Sequence, residues 1–370
     1  MPKIRSRIVA GLALGALLLV LVPAAGASAT QPALGYYKWG WVTVRQTALG
    51  TYTPAALDRG NSAGRPNVVK QPSTGIYTVV LKGIGDDGGV PHVTAMGAGH
   101  AVCLIKGWGR GAVTANLEVY VICYNFSGSR VSTRFSLSYI STPSDPGPLA
   151  YLWADGTGDD DAAAQYSYNS SGGTNHIQQT AMGTYVVTLP GLGSASGNVE
   201  VSAFNGSATT AGTSPAGTNP ATCNVVNWQA SGGDLEANVK CREENGLLVD
   251  SGFTLSFTDH QGLKGHGAAK VAYLWASLPA KASYVPDSSY RYAKPAGVAS
   301  ITRQGAGRYT VTLPSMPAGG AVKVTAYGAN ARTCQLGSIR TGGTPQRVQV
   351  RCFRFDGVPA NSKFVLSYLR

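Results

Sequence analysis

The chain contains the stretch Gly307-Arg-Tyr-Thr-Val-Thr-Leu-Pro314 and repeats its pattern at two earlier places. These are Gly75-Ile-Tyr-Thr-Val-Val-Leu81 and Gly183-Thr-Tyr-Val-Val-Thr-Leu-Pro190. In each copy Tyr, Val and Leu occupy every second position, which is the period of a half-buried β-strand. Three such strands in one chain predict an internal repeat and an all-β protein.

Other landmarks recur in the same order around these strands. A Val-Thr-Ala or Val-Ser-Ala strand begins at Val93, Val201 and Val324. Two cysteines follow in each unit, and a Phe-x-Leu-Ser strand lies at the same distance after each second cysteine. Each unit also opens with an aromatic couple. We align these couples as Tyr37 and Trp39, Tyr151 and Trp153, and Tyr273 and Trp275.

The repeat predicts three tandem domains of the β-sandwich or jelly-roll kind, each with about seven or eight short strands. We expect repeat 1 over residues 30–140, repeat 2 over 150–259 and repeat 3 over 270–370. Each repeat is large enough to bury its own core, so we expect three separate beads on a string.

The segments between and within the repeats differ in composition. Residues 141–148 are rich in Pro and predict a semi-rigid joint, whereas residues 260–267 predict a more flexible one. Repeat 2 carries an insertion at residues 206–220 that is rich in Gly, Ser, Thr and Ala. This composition is typical of an exposed loop.

The first residues have the pattern of a secretory signal. Three basic side chains, up to Arg7, precede an apolar run from Ile8 to Val22 and the small-residue site Ala27-Ser-Ala29. We expect a signal peptide over residues 1–29, cleavage after Ala29 and release outside the cell. The apolar run is too short for a membrane span, and no later stretch is a spanning candidate.

Six cysteines in a chain with a secretory signal predict disulfide bonds. The repeat favours one bond per unit, because each pair occupies the same two landmarks. The expected pairs are Cys103–Cys123, Cys223–Cys241 and Cys334–Cys352. A metal site or a reactive thiol is the alternative, but no Cys-x-x-Cys spacing supports it.

The histidines show no catalytic pattern. His92 aligns with Glu200 in repeat 2 and Lys323 in repeat 3, and a position that accepts all three predicts a solvent-facing side chain. The chain has no Gly-x-Ser-x-Gly elbow, and the Gly-x-Gly-x-x-Gly match at Gly83 precedes a strand instead of a helix. We therefore expect no enzyme activity. A hydrolase without a recognisable motif is the remaining alternative.

One dense acidic cluster lies in repeat 2, at Asp155, Asp159, Asp160 and Asp161. Carboxylate oxygens of this kind can hold Ca²⁺, so this loop is a candidate metal site. The helix-loop Ca²⁺ pattern is not met, because Asp160 and Tyr166 occupy the positions of its Gly and its last Glu. A solvated acidic loop without a cofactor is the other interpretation.

Aromatic residues form stripes in two repeats. Tyr166 and Tyr168 alternate in repeat 2, and Tyr290 and Tyr292 do so in repeat 3. Such stripes form packing surfaces more often than stacking platforms for a glycan. No pair of acidic residues flanks them, so glycosidase chemistry is not implied.

Charge is the feature that the repeats do not share. Residues 30–145 carry 10 basic and 5 acidic side chains, residues 146–265 carry 3 and 11, and residues 266–370 carry 14 and 2. Arginine suits phosphate and carboxylate ligands because its planar fork donates two hydrogen bonds at once. The candidate binding residues cluster around the third cysteine pair and are Arg332, Arg340, Arg347, Arg351 and Arg354.

Three interpretations of this charge remain open. Basic repeat 3 binds an extracellular glycan or anionic polymer, or acidic repeat 2 and basic repeat 3 attract each other within or between chains. In the third interpretation the charges serve only solubility. We expect a secreted, non-enzymatic protein that binds a glycan or an anionic surface polymer. The alternative is a structural or protein-interaction module, for assembly or inhibition.

The opening Ala-Tyr-Leu-Trp-Ala at residues 150–154, the Gly-x-Tyr-x-Val-Thr-Leu-Pro strand and the later Val-x-Val-x-Cys strand resemble tandem β units in secreted proteins of actinobacteria. The resemblance covers most of the chain after residue 29 and is best in repeats 2 and 3. Repeat 1 departs from it at Lys38-Trp-Gly-Trp41. The resemblance implies secretion and repeated β domains, and it assigns no activity and no site residue.

Overall fold

The computed structural model describes residues 37–141, 147–156, 158, 160–204, 220–265 and 269–370. The predicted signal peptide, residues 142–146 and 266–268 of the two joints and residues 206–219 of the insertion lie outside this part. Asp159 and the side chain of Asp160 lie outside it too. From Tyr36 to Arg370 the chain forms one compact unit.

Repeat 1 contributes nine described strands, and a single turn of 3-10 helix at Ala56–Asp58 lies between its second and third. The strands are β1 Lys38–Val44, β2 Gly50–Tyr52, β3 Arg59–Asn61, β4 Val68–Ser73, β5 Ile76–Leu81, β6 Val90–Met96, β7 Ala101–Arg110, β8 Leu117–Asn125 and β9 Arg134–Ser141.

Repeats 2 and 3 follow the same order, with 3-10 turns at Ala164–Tyr166 and Ser288–Tyr290. The strands of repeat 2 are β10 Leu149–Ala154, β11 Asp160–Asp161, β12 Tyr168–Asn169, β13 His176–Ala181, β14 Thr184–Leu189, β15 Asn198–Phe204, β16 Thr222–Ser231, β17 Asp234–Arg242 and β18 Gly252–Thr258. Those of repeat 3 are β19 Val271–Ala276, β20 Ser283–Tyr284, β21 Arg291–Lys294, β22 Ser300–Gly305, β23 Arg308–Leu313, β24 Ala321–Tyr327, β25 Thr333–Ile339, β26 Gln346–Phe353 and β27 Lys363–Leu369.

Each repeat is a sandwich of a five-stranded and a four-stranded layer, which confirms the prediction of an all-β protein built from three β-sandwich repeats. The layers do not end at the repeat boundary, however. The four-stranded layer of one repeat joins the five-stranded layer of another, so the described strands form three nine-stranded sheets. The sheet orders are β20-β22-β23-β26-β25-β6-β9-β1-β3, β12-β10-β18-β15-β7-β8-β5-β4-β2 and β11-β13-β14-β17-β16-β24-β27-β19-β21.

The sheets join in a cycle. A short parallel contact connects repeat 1 to repeat 3 where Met96 pairs with Leu336. The equivalent contacts pair Phe204 of repeat 2 with Ile105 of repeat 1, and Tyr327 of repeat 3 with Val225 of repeat 2. The expectation of separate beads is therefore wrong, because the edge that each repeat would expose alone is covered by its neighbour.

The Gly-x-Tyr strands lie at the centre of each sandwich, as their alternation predicts. Tyr77, Tyr185 and Tyr309 are buried, and each ring lies 5.0 to 5.3 Å from the Phe at the second position of the last strand of its repeat. Each phenol oxygen also accepts a backbone N–H from the loop before that strand, at 2.9 to 3.2 Å. Tyr suits this position because its ring fills the core while its hydroxyl satisfies a buried backbone group.

The glycine before each tyrosine has a conformational reason. Gly75, Gly183 and Gly307 have φ values of 70°, 58° and 61°, and each carbonyl accepts the N–H of the second cysteine at 2.8 Å. A Cβ at these positions would come within 2.7 Å or less of that cysteine's carbonyl oxygen. The turn therefore requires glycine in all three repeats.

The three expected disulfides are present, and no cysteine is free. Each joins directly opposed residues of a hairpin, β7–β8, β16–β17 or β25–β26. Three such bonds are typical of proteins from an oxidising, extracellular environment. The helical segments that the structure describes are single 3-10 turns, and none of them could cross a membrane.

Strand register corrects the alignment of the aromatic couples. Tyr151 pairs with Ser256 and Tyr273 pairs with Ser367, and in repeat 1 the equivalent Ser138 pairs with Trp41. The counterpart of Trp153 and Trp275 is consequently Thr43. The alignment on Tyr37 and Trp39 was wrong because it matched residue types where repeat 1 has substitutions.

Candidate functional site

Repeat 3 presents arginines on one exposed side of a strand pair. In the antiparallel pairing of β23 with β26, Arg308 lies opposite Arg351, and Thr312 lies opposite Arg347. The alternate residues, such as Tyr309 and Val350, are buried. Because side chains alternate between the two sides of a strand, the arginines share the outer side of the sheet.

Arg340 extends this surface. It follows β25, and its N–H donates to the carbonyl of Arg347 at 3.1 Å, which places the two residues side by side on neighbouring strands. Arg347 and Arg351 are four positions apart on β26, which is about 13 Å at the usual rise of a strand. We define the basic face as the two arginine pairs and the polar residues between them: Arg308, Arg340, Arg347, Arg351, Thr310, Thr312 and Gln349.

The charges of the basic face are not neutralised by the described part of the protein. Arg308, Arg340 and Arg351 donate to the backbone carbonyls of Gln304, Pro345 and Ala98 at 3.1 to 3.3 Å. No ion pair among the described residues involves the four arginines. Like charges that oppose each other across strands destabilise a sheet, so an anion bound here would relieve a repulsion.

The structure does not bring all five predicted arginines together. Arg354 forms an ion pair with Asp356 at 2.7 Å. Arg332 precedes β25, at the opposite end of that strand from Arg340, and is only partly exposed. Arg308 belongs to the face but was missed, although its place beside the Gly-x-Tyr motif is visible in the sequence. Its nearness to Arg351 depends on a pairing between strands that are far apart in the chain.

The acidic loop of repeat 2 is only partly described. The Asp161 carboxylate contacts Nδ1 of His176, and both side chains are more than half exposed. No group of three His, Cys, Asp or Glu side chains in the described ranges could hold a metal ion. A Ca²⁺ site that also uses Asp159 and Asp160 stays a prediction, since those side chains lie outside the described residues.

The aromatic stripes pack between repeats. Trp108 of repeat 1 meets Trp153, Tyr166 and Phe204 of repeat 2, with ring centroids 5.3 to 6.2 Å apart. The same arrangement recurs between repeats 2 and 3, at Trp228, Trp275, Tyr290 and Tyr327. Edge-to-face contacts of this kind stabilise an interface, as the packing interpretation expects.

The junction between repeats 3 and 1 is built differently. Thr43, Met96 and Ile339 occupy the positions of aromatic residues in the other two junctions. The Arg45 side chain instead binds the Asp58 carboxylate at 2.8 and 2.9 Å and the carbonyl of Ile339 at 3.3 Å. At this junction a hydrogen bond from Arg45, which is held by Asp58 of the same repeat, reaches repeat 3 in place of the aromatic cluster.

The interpretation of His92, Glu200 and Lys323 as solvent-facing was wrong. Their exposures are 1%, 2% and 3%. They lie on β6, β15 and β24, the strands of the three repeats that contact one another at the centre of the molecule. A polar residue at a half-buried position normally faces water, but here that side of each strand is covered by the other two repeats.

Hydroxyl groups fasten these central strands in a cycle. Ser202 binds both the N–H and the C=O of Val93, at 3.0 and 3.2 Å. Thr325 binds the same two groups of Val201, at 3.2 and 3.1 Å. The Val-Thr-Ala and Val-Ser-Ala motifs are therefore interfaces between repeats, in which a side chain satisfies buried backbone groups of a neighbouring strand.

Burial changes the protonation of the three central residues. Desolvation lowers the pKa of His92 to about 3, and the charge of Lys323 acts in the same direction. Desolvation also raises the pKa of Glu200, while the Ser367 hydroxyl and the charge of Lys323 oppose the rise. Burial lowers the pKa of Lys323 well below its usual value, and Glu200 counteracts part of this change.

One cluster contains the Ser, His and Asp side chains of a hydrolase triad, but its hydrogen bonds are arranged differently. His260 Nδ1 lies 2.7 Å from the Asp259 carboxylate, and Ser194 and Ser196 are nearby. Both serine hydroxyls donate to Asp259 Oδ2, at 2.9 and 2.8 Å, and not to the histidine. A nucleophilic serine needs a base that accepts its proton, so this arrangement does not form a Ser-His-Asp triad.

The cavities described here are small. A cavity of about 50 Å³ lies among the central strands, and one of about 130 Å³ lies beside the acidic loop. Pockets for small organic ligands usually measure roughly 300 to 1,000 Å³. Within the described residues, the exposed basic face is therefore the better candidate for recognition.

Comparison with protein-family models, with curated proteins and with solved structures finds no match to this chain.

Proposed function

We propose that this protein is a non-enzymatic binding protein that acts outside the cell and binds an anionic polymer through the basic face of repeat 3. The observation that carries the proposal is the pair of arginine couples, Arg308 with Arg351 and Arg340 with Arg347, on one exposed sheet surface. Their positive charge has no carboxylate partner among the described residues, so an external anion can supply one.

The composition of the face favours a charged glycan or surface polymer over a nucleic acid. Thr310, Thr312 and Gln349 lie between the arginine pairs and offer hydroxyl and amide groups to sugar oxygens. Proteins that hold single-stranded nucleic acid usually add aromatic rings on which bases stack. The defined basic face has no aromatic residue, and the neighbouring Tyr309 is buried.

The second candidate is assembly through charge. Residues 146–265 carry 11 acidic against 3 basic side chains, and residues 266–370 carry 14 basic against 2 acidic. The basic face of one chain would then bind the acidic repeat of another. Self-association at low salt that disappears at high salt, without retention on a polyanion, would favour this function.

The test is retention of the full-length secreted protein on immobilised heparin, a sulfated glycan, during a salt gradient. Replacing Arg347→Ala and Arg351→Ala together should lower the salt concentration at elution. The charge-matched control carries Arg110→Ala and Arg354→Ala. In the wild type these two arginines form ion pairs with Asp87 and Asp356. The control should elute close to the wild type. Equal elution of both double variants would show that net charge, and not the basic face, governs binding.

A further inference from the structure

A second feature of the molecule is a small cavity next to the central strands, where polar and apolar side chains meet. It has a volume of about 20 Å³ and is lined by residues from all three repeats. Ser138 comes from repeat 1, Glu200 from repeat 2 and Lys323 from repeat 3, and Gln261 comes from the segment that joins repeats 2 and 3. A cavity of this size exceeds the roughly 10 to 15 Å³ that one water molecule requires.

Four lining side chains carry a polar atom without a protein partner. These atoms are Ser138 Oγ, Asn198 Oδ1, Glu200 Oε1 and Gln261 Nε2. Their residues are 1% to 3% exposed, so bulk water does not reach them. Leaving a buried polar atom unsatisfied costs about 1 to 3 kcal/mol, and four such atoms around one cavity indicate a missing partner.

The neighbouring hydrogen bonds determine what that partner must offer. Gln261 Oε1 accepts a hydrogen bond from the N–H of Gly147 at 3.1 Å. The amide nitrogen of Gln261 therefore remains as a donor without a partner. Glu200 Oε2 accepts from Ser367 at 2.8 Å, which leaves Oε1 as a free acceptor. With Asn198 Oδ1 as the second acceptor and the Ser138 hydroxyl as the second donor, the cavity presents two of each.

We propose that this cavity binds one ordered water molecule that links the three repeats. Water donates two hydrogen bonds and accepts two, which matches Glu200 and Asn198 as acceptors and Gln261 and Ser138 as donors. A cation fits poorly, because the Gln261 amide and the Lys323 ammonium line the same cavity. An anion fits poorly beside the Glu200 carboxylate.

The water also completes the hydrogen bonding of the buried Glu200 carboxylate. The Lys323 ammonium donates to the backbone carbonyls of His92 and, at 2.9 Å, Ser136. It forms no ion pair with Glu200 within the described set. A buried carboxylate is tolerated only when its remaining lone pairs are satisfied, and the water supplies the bond that Oε1 lacks.

A crystal structure of the full-length protein at a resolution that shows ordered water tests the proposal. We expect a density peak about 2.7 to 3.2 Å from both Glu200 Oε1 and Gln261 Nε2. An empty cavity, a direct contact between Glu200 Oε1 and Lys323 Nζ, or a peak with the roughly 2.3 to 2.6 Å bonds of a cation such as Ca²⁺ would overturn it.

A variant gives a second readout. Ser138→Val removes one donor and places methyl groups at the cavity, so the density peak should disappear while the fold is retained. Ser127→Val, in the exposed turn after β8, is the control and should keep the peak. If Ser138→Val does not fold, the wild-type structure alone still decides between water, an ion and an empty cavity.

Discussion

The hydroxyl of Thr94 in repeat 1 binds both backbone polar groups of Val324 in repeat 3, at 3.2 Å to the nitrogen and 3.4 Å to the oxygen. The two residues are far apart in the chain, and their contact closes the cycle that Ser202 and Thr325 continue. The three repeats therefore form one compact unit, whose centre is held by side-chain to backbone hydrogen bonds.

We expect Thr94→Val to destabilise the whole protein, because it leaves the N–H and C=O of Val324 buried without a partner. The loss should be about 1 to 3 kcal/mol in the free energy of unfolding, measured by urea denaturation. Thr94→Ser keeps the hydroxyl and is the matched control, with a smaller loss. Equal losses for the two variants would show that the methyl group, and not the hydrogen bonds, matters at this position.

The buried charges of Glu200 and Lys323 should be coupled in stability. Lys323→Met alone removes the positive charge near the buried carboxylate and leaves the carbonyls of His92 and Ser136 without this donor, which should cost about 1 to 3 kcal/mol. The double variant Glu200→Leu with Lys323→Met removes both charges and should cost less than the sum of the single variants. Urea denaturation at pH 8 measures all three variants, and strictly additive losses would contradict the coupling.

His92 should make the protein sensitive to acid. Burial lowers its pKa to about 3 in the folded protein, against an ordinary value of 6.5, so the folded state favours the neutral imidazole. Its contribution is fully present above pH 6.5 and is lost as the pH falls from 6.5 towards 3. Between pH 7 and pH 5 this loss amounts to about 2 kcal/mol.

The comparison with His92→Gln isolates that contribution. Glu200 acts in the opposite direction, because its raised pKa favours the folded state as the pH falls, and it is present in both proteins. When the pH falls from 7 to 5, the unfolding free energy of the wild type should therefore decrease by about 2 kcal/mol relative to that of the variant. Identical pH dependence in the two proteins would mean that His92 does not titrate in this range.

Arg351→Gln should stabilise the protein at low salt. Arg351 and Arg308 are directly opposed across β23 and β26, and relieving a like-charge pair is worth about 0.2 to 1 kcal/mol. The gain should shrink at high salt and in the presence of heparin, which both screen or neutralise the charges. Arg354→Gln breaks an ion pair and should give no gain, and a gain of equal size there would point to net charge.

Several local features could be predicted from the sequence because they depend on residues close in the chain or on the repeat itself. The alternation around Tyr77, Tyr185 and Tyr309 identified core strands, and equivalent cysteine positions identified all three disulfides. The nearness of the arginines at 340, 347 and 351 could be predicted for the same reason, since they lie on one hairpin, and their role in binding stays a prediction.

Features that depend on contacts between distant strands could not be found in this way. Arg308 joins the basic face only because β23 pairs with β26. The register of β1 against β9 makes Trp41, and not Trp39, the counterpart of Tyr151. Each of these features depends on which strands are neighbours and at which residue their pairing begins. The two-residue alternation within a strand carries no information on either point.

Periodicity and spacing report local structure directly, so they are enough to predict an all-β chain of three equivalent units with one disulfide in each. They do not predict that the units share their sheets and bury His92, Glu200 and Lys323 together. A polar side chain is as compatible with solvent as with a buried hydrogen-bonding partner. Which of the two it meets depends on the neighbouring repeats and not on its own strand.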